Sequence, residues 1–380
     1  MPKKLSLIHT ADLHLGKSFQ ELGTRGVQLR RRIISAFRRT VDLALDRRAD
    51  LFLIAGDLFD SNTPSREAQS VLEAEFARLA GAGIRVAVMP GTHDPPGSRP
   101  FASPVFSSRP RHVFVLTPEA PSLVLDDLDL AIGAYFPCRD RAGEWTGPDE
   151  SLGRGRTFCV AMAHGSAMSG LSEGGPEDRI PDSILRAAGV HYLALGHHHG
   201  ARVVADAAMP AYYSGSPEML AIDQKEAGHA LHVILEERGG RVEVTVDKAR
   251  VGTLRYQRLK VGMDEARAGR DLAQELTRLA DPELFLDLIL EGAAALDAEL
   301  PDLAGLESTY ADAFFKLRLI DRTTRTRELN SLAEVPPASV LAEFMRRMQE
   351  RIKEAKSPER EEWEEALRLG IHFLSGGGVP

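Results

Sequence analysis

In the first 200 residues, one apolar run after another ends on the same punctuation, an aspartate or histidine at or beside a glycine-marked turn. Leu5-Ser-Leu-Ile-His9 leads into Asp12-Leu-His14, and Leu51-Phe-Leu-Ile54 leads into Gly56-Asp57-Leu-Phe-Asp60. The run from Ile84 to Met89 leads into Gly91-Thr-His-Asp94. Thr157 to Met162 leads into His164-Gly165, and Tyr192 to Leu195 leads into Gly196-His-His-His-Gly200. Runs this short, flanked by turn residues, read as buried strands. Helical patterns lie between the first three. Leu29, Ile33, Phe37, Val41 and Leu45 recur every fourth residue. A second helix is expected over Ser65 to Leu79, after Pro64, with Asn62 or Thr63 as its cap and Val71, Leu72, Phe76 and Leu79 on its packed face. Strands alternating with helices predict an α/β fold with strands covered on both faces. The polar motifs then fall at the carboxyl ends of strands, where open α/β sheets place their sites.

Further along, the pattern changes. His229 to Glu236, Arg241 to Asp247 and Leu254 to Leu259 predict consecutive strands, the first two joined around Gly239-Gly240. Helical spacing of Leu272, Leu276 and Leu279 and a strand-like segment from Thr309 to Ile320 suggest a small α+β domain. Two amphipathic helices close the chain. One carries Val340, Leu341, Phe344, Met348 and Ile352; the other starts at Ser357-Pro358 and carries Trp363, Leu367, Ile371 and Leu374. The expected division is residues 1–261, 262–325 and 326–380.

Composition narrows the class. No apolar run approaches the roughly 20 residues a membrane span needs, and no secretory leader is visible. Two cysteines, Cys138 and Cys159, form no disulfide framework; both read as core residues of a reduced, cytoplasmic protein. A net charge of −8 argues against a general grip on nucleic acid. Action on DNA would need a local basic patch, a metal site, a dimer or a partner.

The motif residues are carboxylates and imidazoles without thiolate. That donor set suits Mn, Fe, Co, Ni or Zn better than Ca or a structural zinc. Two aspartates and four histidines at strand ends are enough for two ions that share one carboxylate, an arrangement suited to phosphoester hydrolysis. Each motif alone is weak; their joint order after successive strands is the signal.

The strings Ile8-His-Thr-Ala-Asp-Leu-His-Leu-Gly16 and Leu53-Ile-Ala-Gly-Asp-Leu-Phe-Asp-Ser61 resemble the calcineurin-like metallophosphoesterase superfamily. With Tyr213-Ser-Gly-Ser-Pro-Glu218 they look most like its SbcD- and YhaO-like branch of DNA double-strand-break repair nucleases. The resemblance covers about residues 1 to 235, and Glu365-Ala-Leu-Arg-Leu-Gly370 adds to it. It implies a four-layer sandwich, two mixed β-sheets flanked by helices, followed by a capping domain. It implies two divalent ions, Mn2+ foremost, with Fe, Co or Zn as alternatives. Asp12, His14, Asp57 and His199 would hold the first; Asp57, His164 and His197 would hold the second, with Asp57 bridging. His93 would orient the scissile phosphate and protonate the leaving oxygen, and Asp94 would steer His93. The implied substrate is DNA ends. The implied partner is an SMC-like coiled-coil ATPase docked on the C-terminal helices, and a homodimer is a further expectation. One departure stands out. Thr92 occupies the place of an asparagine whose carbonyl normally reaches the second ion, and a hydroxyl reaches less far. Two other readings stay open: a phosphodiesterase or phosphatase on a small or protein substrate, and a catalytically weakened scaffold subunit.

The remaining candidates have plainer readings. His198, between two ligand candidates, is expected to point away. His9 and His191 read as strand residues and Asp60 as a loop brace; His229 and Arg255 carry no assigned role. Eight arginines against two aspartates lie between Arg25 and Arg48. Arg30, Arg31, Arg38 and Arg39, off the apolar face, read as an ion-paired surface or as a phosphate-tracking patch.

Overall fold

The alternation of apolar runs and amphipathic helices builds two mixed sheets and a smaller parallel one. The computed structural model describes residues 3–107, 111–138, 143–149, 151–167, 178–204, 207–221, 224–262, 272–295, 301–326, 335–356 and 359–374. By its internal packing the chain divides into two compact units, Met1–Leu254 and Arg255–Pro380.

In the first unit the strands are β1 (Lys4–Thr10), β2 (Leu51–Ala55), β3 (Arg85–Met89), β4 (Val113–Val115), β5 (Ser122–Leu125), β6 (Leu130–Pro137), β7 (Trp145–Thr146), β8 (Phe158–His164), β9 (Tyr192–Gly196), β10 (Arg202–Val203), β11 (Ala211–Tyr213), β12 (His229–Arg238) and β13 (Arg241–Arg250). One sheet runs β13-β12-β1-β2-β3-β4 and the other β10-β11-β9-β8-β6-β5, with β7 on β6. β1 to β4 pair in parallel, and β12 closes antiparallel on β1.

Period-two alternation explains the sandwich. Leu5, Leu7, Leu51 and Leu53 of one sheet share a buried core with Leu130, Ile132, Val160 and Tyr192 of the other. The intervening residues of β8 and β9, Cys159, Ala161, Leu193 and Leu195, face outward into a second cluster with Ile180, Ile184 and Leu185. Helix α1 (Thr24–Asp46) lies against β1 and α2 (Arg66–Gly81) against β3. α1 buries Leu29, Ile33, Phe37 and Val41, as its four-residue spacing predicts. The cap of α2 differs from expectation. Ser65, not Asn62 or Thr63, accepts the Ala68 N–H at 3.2 Å, because Ser65 is the residue with extended backbone directly before the first helical turn.

The second unit holds β14 (Arg255–Gly262), β15 (Asp281–Ala295) and β16 (Phe314–Thr326), joined through the helices Leu272–Leu279 and Leu303–Tyr310. All three strands are parallel. β14 therefore belongs here, and the division falls at Leu254/Arg255 rather than 261/262. The strand reading of Thr309 and Tyr310 is also corrected. Asp302 caps a helix there by accepting the Gly305 N–H, and the strand begins only at Phe314. Alternate residues Leu284, Leu286, Leu288 and Leu290 of β15 pack with Leu272 and Leu276 of the covering helix.

The helices Val340–Glu354 and Glu359–Leu374 pack through Ala342, Met345, Phe344, Leu367 and Ile371. Val340, placed on the packed stripe by its spacing, is instead 74% exposed. The expected start at Ser357-Pro358 lies outside the described residues. No helix among the described residues is long and apolar enough to cross a membrane.

Candidate metal centre

The loop after β1 runs beside the loop after β2. Asp12 N–H donates to Gly56 O at 3.1 Å, His14 N–H to Asp57 O at 3.0 Å and Leu15 N–H to Leu58 O at 3.0 Å. The backbone around these loops is unusual. Asp12, His14, Asp57 and His197 all have positive φ (53°, 46°, 48° and 103°), which residues with a Cβ avoid. Each such residue costs about 1 kcal/mol or more and persists only where its surroundings over-determine it. Close approach is the other local demand. A Cβ on Gly56, itself at φ 91°, would lie 2.1 Å from His164 Nδ1, and one on Gly91 would lie 2.2 Å from Asp57 Oδ1. The glycines of two motifs thus let neighbouring loops touch ligand-type side chains.

These contacts gather Asp57 and two imidazoles. His14 Nε2 lies 3.6 Å and His164 Nε2 3.3 Å from the same oxygen, Asp57 Oδ2. Both nitrogens are buried without a hydrogen-bond partner. Their other ring nitrogens are engaged. His164 Nδ1–H donates to Ala55 O at 2.9 Å, and His14 Nδ1 sits 2.9 Å from Asp60 Oδ1. Each contact holds the ring by Nδ1 and directs Nε2 at Asp57, the nitrogen a neutral ligating histidine offers; in His164 that nitrogen carries a proton that a cation would displace. Buried polar atoms are normally paired. Two unpaired nitrogens aimed at one carboxylate fit a site for cations.

Ligand atoms of Asp12, His14 and His199 lie within 4.8 Å of one another, as do those of Asp12, Asp57 and His164. His14, Asp60 and His93 form a third such group. His197 contributes to none of these. Its N–H donates to both carboxylate oxygens of Asp12, at 3.0 and 3.1 Å, while its ring stands 5.5 Å from that of His164. His198 turns away as expected, edge-on to Tyr213 at 4.6 Å. The exposed Thr92 hydroxyl donates to Asp57 Oδ2 at 3.3 Å, and His93 N–H donates to Asp57 Oδ1 at 2.8 Å. The His93 ring is exposed and stands edge-on to His14 at 4.8 Å, open to an incoming molecule.

Asp94 departs from its expected role. Its carboxylate accepts from Gly91 N–H at 2.8 Å and Phe59 N–H at 2.9 Å. It braces the two loops by their backbones rather than steering the His93 ring. Two contributors were missed. Asp60 does more than brace its loop: held by Lys17 at 2.8 Å, it sets the His14 tautomer. The Gly-Asp-x-x-Asp spacing carried that signal. Gln224 Nε2 lies 2.6 Å from His199 Nδ1, and no motif pointed to it. The Gln224 oxygen already accepts from Leu220 and Ala221 N–H at 3.0 and 3.2 Å. Ligation by His199 Nε2 would need that amide to turn and accept from Nδ1–H.

Electrostatics follow from burial. Burial opposes a charged Asp57, yet His164 and His14 beside it hold its carboxyl well below the usual range. Burial pushes Asp12 up to about 7, against the pull of His164. Burial also opposes a charged His164, but Asp57 and Asp12 carry its pKa up to about 10. Burial brings His199 down to about 3 and lowers His14. The arginines of α1 are partly structural. Arg38 faces Glu75 at 3.5 Å, Arg39 donates to Val251 O, and Arg32 donates to Thr253 Oγ1 at 2.6 Å. The ion-paired reading of that face gains from this.

A polar cluster at the strand ends of a two-sheet sandwich, built from aspartates and histidines, is the arrangement of a metallophosphoesterase. A model of the calcineurin-like phosphoesterases matches residues 5–201, just over half of the chain, and the chain belongs to that family. Its members bind a dinuclear metal site. Among relatives, the uncharacterized metallophosphoesterase YhaO of Bacillus subtilis is 27% identical over 351 residues, 86% of this chain and 84% of that one. The DNA double-strand break repair protein Mre11 of Aeropyrum pernix is 30% identical over 256 residues, 62% of this chain and 58% of its own length. The SbcD component of the nuclease SbcCD of Bacillus subtilis is 27% identical over 281 residues, covering 63% of this chain and 68% of that one.

Two outcomes follow from this geometry. Gly56→Ala should displace the His164 ring and weaken Mn2+ binding by about tenfold or more, with the circular dichroism spectrum retained; an unchanged calorimetric isotherm would contradict it. Metal binding should also release protons. With its pKa near 10, His164 holds a proton at neutral pH that a ligand nitrogen must lose. Affinity should therefore rise with pH through neutrality, with about one proton released per chain near pH 7.5. Calorimetry in two buffers of different ionisation enthalpy measures this, and no proton release would rule it out.

Proposed function

We propose that this chain is a metal-dependent phosphodiesterase acting on DNA ends. One observation carries the reading: the unpartnered His14 and His164 nitrogens converge on a single oxygen of Asp57. In this reading Asp12, His14, Asp57 and His199 hold one divalent ion. Asp57, His164 and His197 hold the other, with Thr92 at its edge. Bound there, the pair would supply Lewis acidity and a nucleophile at neutral pH. Mn2+ is the ion we assign, as the family resemblance implies; the oxygen and nitrogen donor set suits it as it suits Fe, Co, Ni or Zn. His93, exposed beside His14, would touch the scissile phosphate and donate a proton to the leaving oxygen.

The DNA substrate is supported by the names of the relatives, a break-repair protein and a nuclease component. The C-terminal helices support a docking role. Val340, Phe373 and Leu374 remain exposed beyond their packed face, and we assign that surface to the coiled coil of an SMC-like ATPase. Residues 255–325, with β14 included, take the capping role and a homodimer completes the assembly. Free thiols at Cys138 and Cys159 fit a reduced cytoplasm. The competing reading, a small-substrate phosphodiesterase, shares the same centre.

The test compares manganese-dependent cleavage of linear duplex DNA with hydrolysis of a small nitrophenyl phosphodiester. Activity on the small ester alone, with any metal, would sink the DNA assignment. His93→Ala should lower kcat by about 10²- to 10⁴-fold while leaving the metal titration in place. Wild-type turnover in that variant would remove His93 from the catalytic role. Thr92→Asn extends a carbonyl toward Asp57 and His164, and should tighten the weaker ion by about tenfold. An unchanged titration would show that the threonine costs nothing.

A further inference from the structure

Beside Thr92 and His164, the first unit holds a cleft of about 510 Å³ that none of the roles above uses. It opens at the carboxyl ends of β3 and β6. Its walls are mostly apolar, with Pro90, Pro118 and Phe136 among them. Among the described residues no lysine or arginine lines it, and the one lining carboxylate, Glu119, is exposed. Its size falls within the roughly 300–1,000 Å³ of small-ligand sites.

The lining decides what can enter. A phosphate chain is held by cations and helix N-termini; here it would meet apolar walls and a carboxylate. A neutral flat ring meets what it needs. Its faces lie against rigid prolines, which lose little entropy on ordering, and an N–H on its edge finds an acceptor in Glu119. One end of the cleft is closed by residues that, on the proposed reading, face the scissile phosphate. We propose that this cleft binds the nucleobase of the nucleotide whose phosphate lies at Thr92 and His164. The proposal rests on the nucleic-acid reading of the centre, and it adds that the enzyme grips a base by shape rather than the backbone alone.

Cys138 makes the idea testable without turnover. It lines the cleft and is half-buried, whereas Cys159 is buried. The full-length protein loaded with Mn2+ is alkylated with iodoacetamide, with and without deoxyadenosine 5′-monophosphate or 2-deoxyribose 5-phosphate. At ten times its Kd the nucleotide should slow labelling of Cys138 by about tenfold, and the sugar phosphate should not. Equal protection by both, or protection by neither, overturns the assignment. A second measurement uses DNA whose terminal nucleotide carries or lacks its base. Removing the base should lower kcat/KM by about tenfold or more, and Thr146→Trp, which fills the cleft, should erase that difference. Equal cleavage of the two substrates by the wild type also overturns it. If duplex DNA is not cleaved at all while the nucleotide still protects Cys138, the nuclease reading fails and the base-binding cleft stands.

Discussion

The centre depends on one buried carboxylate, Asp57. Its backbone oxygen receives the His14 N–H and ties the first loop to the second. Its Oδ1 receives the His93 N–H and ties in the third. Its Oδ2 faces His14, His164 and the Thr92 hydroxyl. A carboxylate only 3% exposed would be expected to hold its proton, because burial disfavours charge. The imidazoles beside it reverse that, so Asp57 stays ionised and the hydrogen bonds to it are charge-assisted. Three loops from distant parts of the chain thereby share one anchor.

That anchor explains where strain is tolerated. Four residues with a Cβ sit in the left-handed region within this cluster. Each would relax if its loop were free, and each is held by a backbone hydrogen bond to a neighbouring loop or by the short tether to its strand. Gly56 and Gly91 mark the places where no side chain could fit between those loops. Strain and close approach occur at the carboxyl ends of β1, β2, β3 and β9, while the cores behind them are packed from unstrained strands. Such rigid sheets fix ligand-type atoms with a precision a loop alone would lack.

Much of this was legible in the sequence, because ligand-type residues at strand ends obey local rules. Asp12, His14, Asp57, His164 and His199 could each be placed by the apolar run before it. What was missed depends on tertiary partners. Asp94 looked like a neighbour of His93, but sequence adjacency does not tell that its carboxylate reaches back to Phe59 N–H. Gln224 lies 25 residues beyond His199 and meets it only after β11 and the following turn fold back. β6 reads Leu-Ala-Ile-Gly-Ala-Tyr-Phe-Pro; its small residues and closing proline dilute the apolar signal of a strand that is paired on both sides in its sheet. In the second unit, Thr309 and Tyr310 alternate with apolar neighbours as a strand would, yet the Asp302 cap upstream decides in favour of helix.

Charge poses the remaining question of how an acidic chain, at −8, approaches a polyanion. The arginines of α1 answer it only in part, since Arg32, Arg38 and Arg39 are engaged with Thr253, Glu75 and Val251. The centre itself gathers Asp12, Asp57, Asp60 and Asp94 within a few residues of the strand ends, with Lys17 as a nearby cation already bound to Asp60. Without ions, a phosphate entering this region would meet mainly carboxylates. Two divalent cations would bring four positive charges to the same spot and reverse its sign, because a bound ion is the largest local charge in such a site. Attraction of substrate and capacity for hydrolysis would then arise together.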